Sequence, residues 1–205
     1  MSELINLDPR DKVMQAVSPT VMVPTYSKME YLTQAGKRYL ATQSGILMEM
    51  KNPWLHLVLP VACQEVVKMP YGNIDPWVKM VFKKPVDLLG RFENDSLKSL
   101  PAECAAWIIW DDREKKLVYR ELEVVEASAT RVRFHRPPLE EHQTLALDLH
   151  SHGVLGPFFS GTDDKDDYGE FKVSGVLGYV GTKEQEWLFR LCAGGLYLEM
   201  PESFG

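Results

Sequence analysis

Two histidines separated by one residue, His150 and His152, begin the stretch HSHGVLGPFFSGTDD, which also contains Ser160 and Asp163. In a β-strand, residues two apart point to the same face, so both imidazoles could reach one ion. Ser160 and Asp163 are three apart, and the first turn of a helix brings such side chains together. Two imidazoles and one carboxylate leave a fourth coordination position open, as a catalytic zinc requires. The pattern therefore predicts a metal centre held by His150, His152 and Asp163.

Several details of this site stay open in the sequence. A Ser-x-x-Asp step is also a common helix start, because the serine can cap the helix and the acid favours the positive end of its dipole. If that helix began one residue later, Asp164 would replace Asp163 as the third ligand. Iron, cobalt or manganese would also suit two histidines and a carboxylate, although zinc is expected. We otherwise expect Asp164, Asp166 and Asp167 to form a solvated face.

The elements around the motif are predicted from apolar periodicity. Leucines alternate with other residues over 145–149, which indicates a strand that ends near His150. Pro85 begins a predicted helix that ends before Pro101 and has an apolar face. Further strand-like runs occupy residues 105–110, 116–125, 131–135, 171–180 and 187–200. This part of the chain is therefore predicted to be α+β, with one sheet and a few helices.

The segment MPYGNIDP, at residues 69–76, is the predicted boundary between two domains, because it combines prolines, a glycine and an asparagine. We place the boundary near Asp75. Residues 1–75 then form a small β-rich N-terminal extension, in which 37–63 is a predicted β-meander. Residues 76–205 form the domain that contains the histidines.

The composition argues against several classes of protein. Among 205 residues the formal net charge is −6, whereas nonspecific nucleic-acid binding needs a surplus of Lys and Arg. Three cysteines without CxxC spacing suggest neither a disulfide framework nor a cysteine zinc cage, and they favour a reducing compartment. The apolar runs are far shorter than the roughly 20 residues that span a bilayer. We expect a soluble, cytoplasmic protein with no nucleic-acid or membrane partner.

The motif resembles that of the JAMM zinc metalloprotease family, also called the JAB or MPN domain. The family signature is a distant glutamate, then His-x-His-Pro, then Ser-x-x-Asp. Here Gly153 stands where the family has proline, and because that proline is not a ligand, we expect its loss to affect local rigidity more than metal binding. The resemblance covers roughly residues 80–205. It implies a JAB/MPN-like, cytidine-deaminase-like fold, with a mixed sheet flanked by helices.

The resemblance also implies a role for each residue. Glu103, which follows the predicted helix and precedes an apolar run, matches the family glutamate. A Zn²⁺ ion held by His150, His152 and Asp163 would lower the pKa of its bound water toward about 7. Glu103 would take the proton of that water and return it to the leaving amine. Ser160 would donate a hydrogen bond to the oxyanion that forms on the attacked carbonyl.

Such a domain behind an N-terminal extension resembles the protein A family of bacterial PRTRC systems, gene clusters that also encode a ubiquitin-like protein and an activating-enzyme homologue. This resemblance implies a zinc-dependent isopeptidase or processing peptidase. Its substrate would be the C-terminal tail or an isopeptide bond of a ubiquitin-like (β-grasp) protein, and the activating-enzyme homologue would be a further partner. Two alternatives remain: a noncatalytic scaffold that binds a ubiquitin-like partner, and a metal-dependent hydrolase of a small-molecule amide.

Overall fold

The computed structural model describes residues 8–63, 68–128, 132–201 and 203–204. The chain divides into two compact units, Met1–Val81 and Phe82–Gly205. The strand Trp77–Met80, which a boundary at Asp75 assigns to the second domain, pairs with a strand of the first unit. Each unit is therefore described with the strands that pair inside it.

The described part of the first unit contains one helix and a five-stranded sheet. Its elements are α1 (Pro9–Val17), β1 (Thr20–Met22), β2 (Gly36–Thr42), β3 (Gly45–Lys51), β4 (Leu55–Cys63) and β5 (Trp77–Met80). The strands follow one another in chain order across the sheet; β1 is parallel to β2, and the later neighbours are antiparallel. The predicted meander over 37–63 is confirmed as β2, β3 and β4.

The first unit buries a carboxylate in its sheet. Glu49 of β3 is 0% exposed. Its Oε1 accepts a hydrogen bond of 2.6 Å from the amide of Leu32 and lies 2.8 Å from His56 Nε2. Its Oε2 accepts one of 2.7 Å from Arg38 Nε. A buried charge is tolerated when donors surround it in this way.

The second unit has an α+β fold around a mixed sheet, as predicted. Its described elements are α2 (Val86–Ser99), β6 (Ala105–Asp111), β7 (Lys116–Glu121), β8 (Val124–Ala127), β9 (Val132–Phe134), β10 (Gln143–Ser151), α3 (Gly161–Asp167), β11 (Phe171–Gly178), β12 (Glu186–Ala193) and β13 (Leu196–Met200). The order in the larger sheet is β13-β12-β11-β10-β6-β7. Only β10 and β11 pair in parallel within this sheet's described strands, and β8 pairs with β9 separately.

Side chains alternate along each strand, so each residue of the larger sheet belongs to one of its two faces. Leu147 and Leu149 lie on the apolar face, which α2 covers through Phe92, whose ring centroid is 5.5 Å from that of Trp187. Asp148 and His150 lie on the opposite face, together with buried apolar residues such as Trp107. None of the helices within the described ranges is long and apolar enough to cross a bilayer.

Candidate metal centre

The two histidines meet at the end of β10. His150 is the penultimate residue of the strand and His152 follows it, and their Nε2 atoms are 3.2 Å apart. His152 Nδ1 lies 3.3 Å from the carbonyl oxygen of Gly156. A proton on Nδ1, donated to that carbonyl, leaves the lone pair of Nε2 free to bind an ion.

Asp163 reaches the histidines from the first turn of α3. Its Oδ1 lies 3.5 Å from His150 Nε2. Its Oδ2 accepts hydrogen bonds of 2.6 Å from both the amide and the hydroxyl of Ser160, while the Ser160 oxygen accepts from the amides of Thr162 and Asp163. The helix-capping role of Ser160 and Asp163 therefore coexists with the placement of Asp163 beside a histidine.

Asp164, the alternative third ligand, has a different partner. Its Oδ1 accepts a hydrogen bond of 2.6 Å from Arg190 Nη1. The group of donors that lie within 4.8 Å of one another consists of His150, His152 and Asp163, and it is the only such group among the described residues.

The spacing of these donors fits zinc. With zinc–ligand distances of about 2.0–2.1 Å, two ligand atoms of a tetrahedral site are roughly 3.3 Å apart. The observed separations of 3.2 Å and 3.5 Å are close to that value. Burial lowers the pKa of His150, an effect that the Asp163 charge partly opposes, and so favours the neutral imidazole that a metal needs.

Glu103 lies between α2 and β6, on the wall of the same cavity. It is 7% exposed. Burial and the nearby Asp163 charge raise its pKa to about 7. The next residue is tied to the histidine motif, because the Cys104 amide donates to Ser151 Oγ at 2.9 Å and the Ser151 amide donates to the Cys104 carbonyl at 2.9 Å. Ser151, between the two histidines, thereby fixes the backbone next to Glu103.

Gly153 has a left-handed backbone conformation, with φ of 55°. Proline cannot take that conformation, because its ring holds φ near about −65°. Its carbonyl accepts a hydrogen bond of 2.8 Å from the Val180 amide. The glycine thus changes the geometry of the turn after His152, and not only its rigidity.

A cavity of about 500 Å³ opens over the site. Apolar side chains come from two segments: Val132 and Phe134 of β9, and Leu155 and Phe158 of the loop after His152. Phe158 is 52% exposed, and its ring centroid lies 4.4 Å from that of His152. The cavity therefore combines an apolar rim with a polar floor.

The floor contains charged residues that the sequence analysis did not assign to the site. Lys172 is 1% exposed and contacts Asp148 at 2.6 Å and Asp167 at 2.8 Å. The expectation that Asp167 belongs to a solvated face is wrong, because it is 4% exposed and also pairs with Arg190 at 2.7 Å. Asp166 is exposed, as expected. Two features of the sequence could have indicated these residues. Lys172 lies inside an apolar strand run, and Asp167 follows Asp163 by four residues, which puts the two aspartates on one helix face.

Models of two known families match the chain. The model described as prokaryotic homologs of the JAB domain matches residues 85–192. A domain of unknown function, DUF2016, matches residues 8–81. A comparison with curated proteins gave no match. The two family matches agree with the resemblances noted in the sequence.

Proposed function

The chain belongs to the prokaryotic JAB-domain family, and from that premise we propose that it is a zinc-dependent peptidase. The proposed substrate is the C-terminal tail or an isopeptide bond of a ubiquitin-like protein. One observation carries the proposal: Glu103, with a pKa raised to about 7, lines the cavity in which His150, His152 and Asp163 bring their donor atoms together. A proton acceptor beside a group of metal-binding atoms is the arrangement that metal-assisted hydrolysis requires.

In this proposal His150, His152 and Asp163 hold the metal ion. When bound, zinc supplies Lewis acidity, which polarises a substrate carbonyl and lowers the pKa of water to about 7. The contact of His152 Nδ1 with the Gly156 carbonyl would leave Nε2 as the nitrogen that binds the ion. The Ser160 amide donates a hydrogen bond to Asp163 Oδ2. The other carboxylate oxygen, Oδ1, is therefore the one that lies near His150.

Glu103 carries the proton. A general base works best when its pKa is close to the working pH, and burial beside Asp163 brings the pKa of Glu103 to about 7. Its carboxylate can therefore accept a proton from the attacking water near neutral pH. The protonated carboxyl then gives that proton to the leaving amine, which restores the carboxylate.

Ser160 supplies a hydrogen-bond donor for the carbonyl oxygen as it gains negative charge. In this structure its hydroxyl donates to Asp163 Oδ2 at 2.6 Å. The hydroxyl must therefore rotate away from Asp163 to reach the substrate. The backbone amide of Ser160 keeps its own bond to Asp163, so the ligand stays oriented while the hydroxyl turns.

The cavity supports a peptide substrate. Its apolar rim, with Phe134 and Phe158 among its members, can contact the side chains of an extended chain, and its floor is close to the metal ligands. The resemblance to the PRTRC protein A family supports a ubiquitin-like protein as the source of that chain. The activating-enzyme homologue of such systems is a further proposed partner.

The test uses the full chain and a ubiquitin-like protein fused through its C-terminus to a reporter. We expect wild type to cleave the fusion, and Glu103→Gln to lose cleavage by about 10²- to 10⁴-fold while zinc, measured by mass spectrometry, stays bound. The exposed Glu184 provides a matched control, and Glu184→Gln should cleave at the wild-type rate.

Each other outcome has a distinct meaning. Full activity in Glu103→Gln would remove that residue from the mechanism. Cleavage of small amides but not of the fusion would replace the proposed substrate by a small molecule. Zinc-loaded wild type that cleaves neither substrate would contradict the proposed peptidase and favour a scaffold.

A further inference from the structure

A buried lysine joins the two elements that carry metal ligands. Lys172 of β11 places its Nζ 2.6 Å from Asp148 Oδ2 and 2.8 Å from Asp167 Oδ1. Asp148 precedes His150 by two residues on β10, and the two side chains share one face of the sheet. Asp167 follows Asp163 by four residues on α3, so these two share a helix face. One ammonium group thus connects the strand of His150 with the helix of Asp163.

Both carboxylates are held by additional donors. Trp107 Nε1 donates to Asp148 Oδ1 at 3.0 Å. Arg190 donates to Asp167 Oδ2 from Nε at 3.0 Å and from Nη2 at 2.7 Å. Because each acid is fixed from two sides, the position of the Lys172 ammonium restricts how the strand and the helix can shift.

The helix depends on these contacts for its position. α3 has seven residues, all of them described, and Asp167 is its only buried residue. A helix of that length is unstable alone, and this one has no buried apolar side chain to anchor it. Polar contacts attach it to the sheet instead: Asp167 pairs with Lys172 and Arg190, Asp164 pairs with Arg190, and the Tyr197 hydroxyl donates to the Asp164 carbonyl. Of these partners, Lys172 is the one that also contacts Asp148 of β10.

We infer that Lys172 is a positioning residue for the metal centre: it fixes α3 against β10 and β11, so that Asp163 stays within reach of His150. The inference rests on the metal site proposed above but not on any substrate. Removing the lysine leaves Asp148 and the buried Asp167 without their shared cation, and repulsion between the two carboxylates then moves α3 away from the strand.

A simpler role for Lys172 would be charge compensation, and it predicts the opposite result. Loss of a positive charge close to a cation site strengthens cation binding through Coulomb attraction alone. Loss of a positioning residue weakens it, because the third ligand no longer meets the other two. The direction of the change in metal affinity therefore separates the two roles.

The experiment compares full-length wild type with three variants. Lys172→Met removes the cation, and Lys172→Met/Asp167→Asn breaks the same connection at unchanged net charge. Lys165→Met removes an exposed lysine of α3 and serves as the matched control. Zinc affinity is measured by competition with a chromophoric chelator, the ligand geometry by the visible spectrum of the cobalt(II) form, and folding of the metal-free proteins by circular dichroism and thermal unfolding.

We expect both Lys172 variants to bind zinc about 10- to 100-fold more weakly than wild type, with an altered cobalt spectrum. Lys165→Met should match wild type in zinc affinity and in the cobalt spectrum. A folded double variant with wild-type zinc affinity and cobalt spectrum would overturn the inference, as would tighter binding in a folded Lys172→Met. If the single variant does not fold, the double variant decides alone. Wild type that binds no zinc would instead contradict the metal site itself.

Discussion

Glu49 in the first unit and Glu103 in the second are both buried glutamates, yet their surroundings differ. Glu49 receives hydrogen bonds on both oxygens, from Leu32 and Arg38, and contacts His56. Burial and a second negative charge act on Glu103, and both raise its pKa. Burial beside a second carboxylate prepares Glu103 to exchange a proton, whereas hydrogen-bond donors hold Glu49 in its sheet.

Removal of the Glu49 charge should have the largest effect on folding. We expect Glu49→Gln to lower the free energy of unfolding by about 3–5 kcal/mol, because Arg38 and His56 lose the carboxylate that they surround. Urea unfolding followed by circular dichroism measures this change. The exposed Glu30 is the control, and Glu30→Gln should leave the unfolding curve unchanged. Equal stability of Glu49→Gln and wild type would mean that the cluster contributes nothing to the fold.

The burial of Glu103 should make the stability of the metal-free protein depend on pH. Its carboxyl group has a pKa of about 7 when folded and an ordinary value of 4.5, so ionisation favours the unfolded chain. The contribution of the protonated Glu103 to the free energy of unfolding is fully present below about pH 4.5. It is lost as the pH rises to about 7, and the loss is at most about 3 kcal/mol. The stability of wild type relative to Glu103→Gln should therefore fall across that window and stay constant above it. Parallel stability curves of the two proteins would contradict the raised pKa.

Ser151 should have a smaller effect, through the backbone beside Glu103. Its hydroxyl accepts a hydrogen bond of 2.9 Å from the Cys104 amide, and Ser151→Ala leaves that half-buried donor without its side-chain acceptor. We expect a loss of about 1–2 kcal/mol in thermal or urea unfolding. Ser203→Ala, at an exposed serine, is the matched control and should be neutral. A neutral Ser151→Ala would show that this hydrogen bond does not hold the Glu103 segment.

The parts of the fold that the sequence predicts are those with local signals. The meander over 37–63, the helix α2 and the strand that carries His150 follow from short-range periodicity and from turn residues. The helix α1 is not among the predicted elements, although Asp8 followed by Pro9 is a typical helix start, and none of its residues is buried. The strand β1 is three residues long, and it pairs in parallel with β2, which no local pattern encodes.

The candidate site divides in the same way. His150, His152, Ser160 and Asp163 form a compact motif, and the structure gathers them, with Glu103 on the wall of the same cavity. The cluster of Asp148, Asp167, Lys172 and Arg190 is spread over three strands and a helix. Charged residues spaced so widely are predicted to be solvated unless the tertiary fold is known. The error on Asp167 has this cause.

The most direct test of the account is the metal content of protein purified without chelator or histidine tag. Mass spectrometry should find one zinc per chain in wild type and almost none in a His150→Ala/His152→Ala variant, because the double substitution leaves Asp163 as the single remaining ligand of the group. Wild type that contains no zinc, and that retains none after zinc is added, would contradict the metal centre and with it the proposed peptidase.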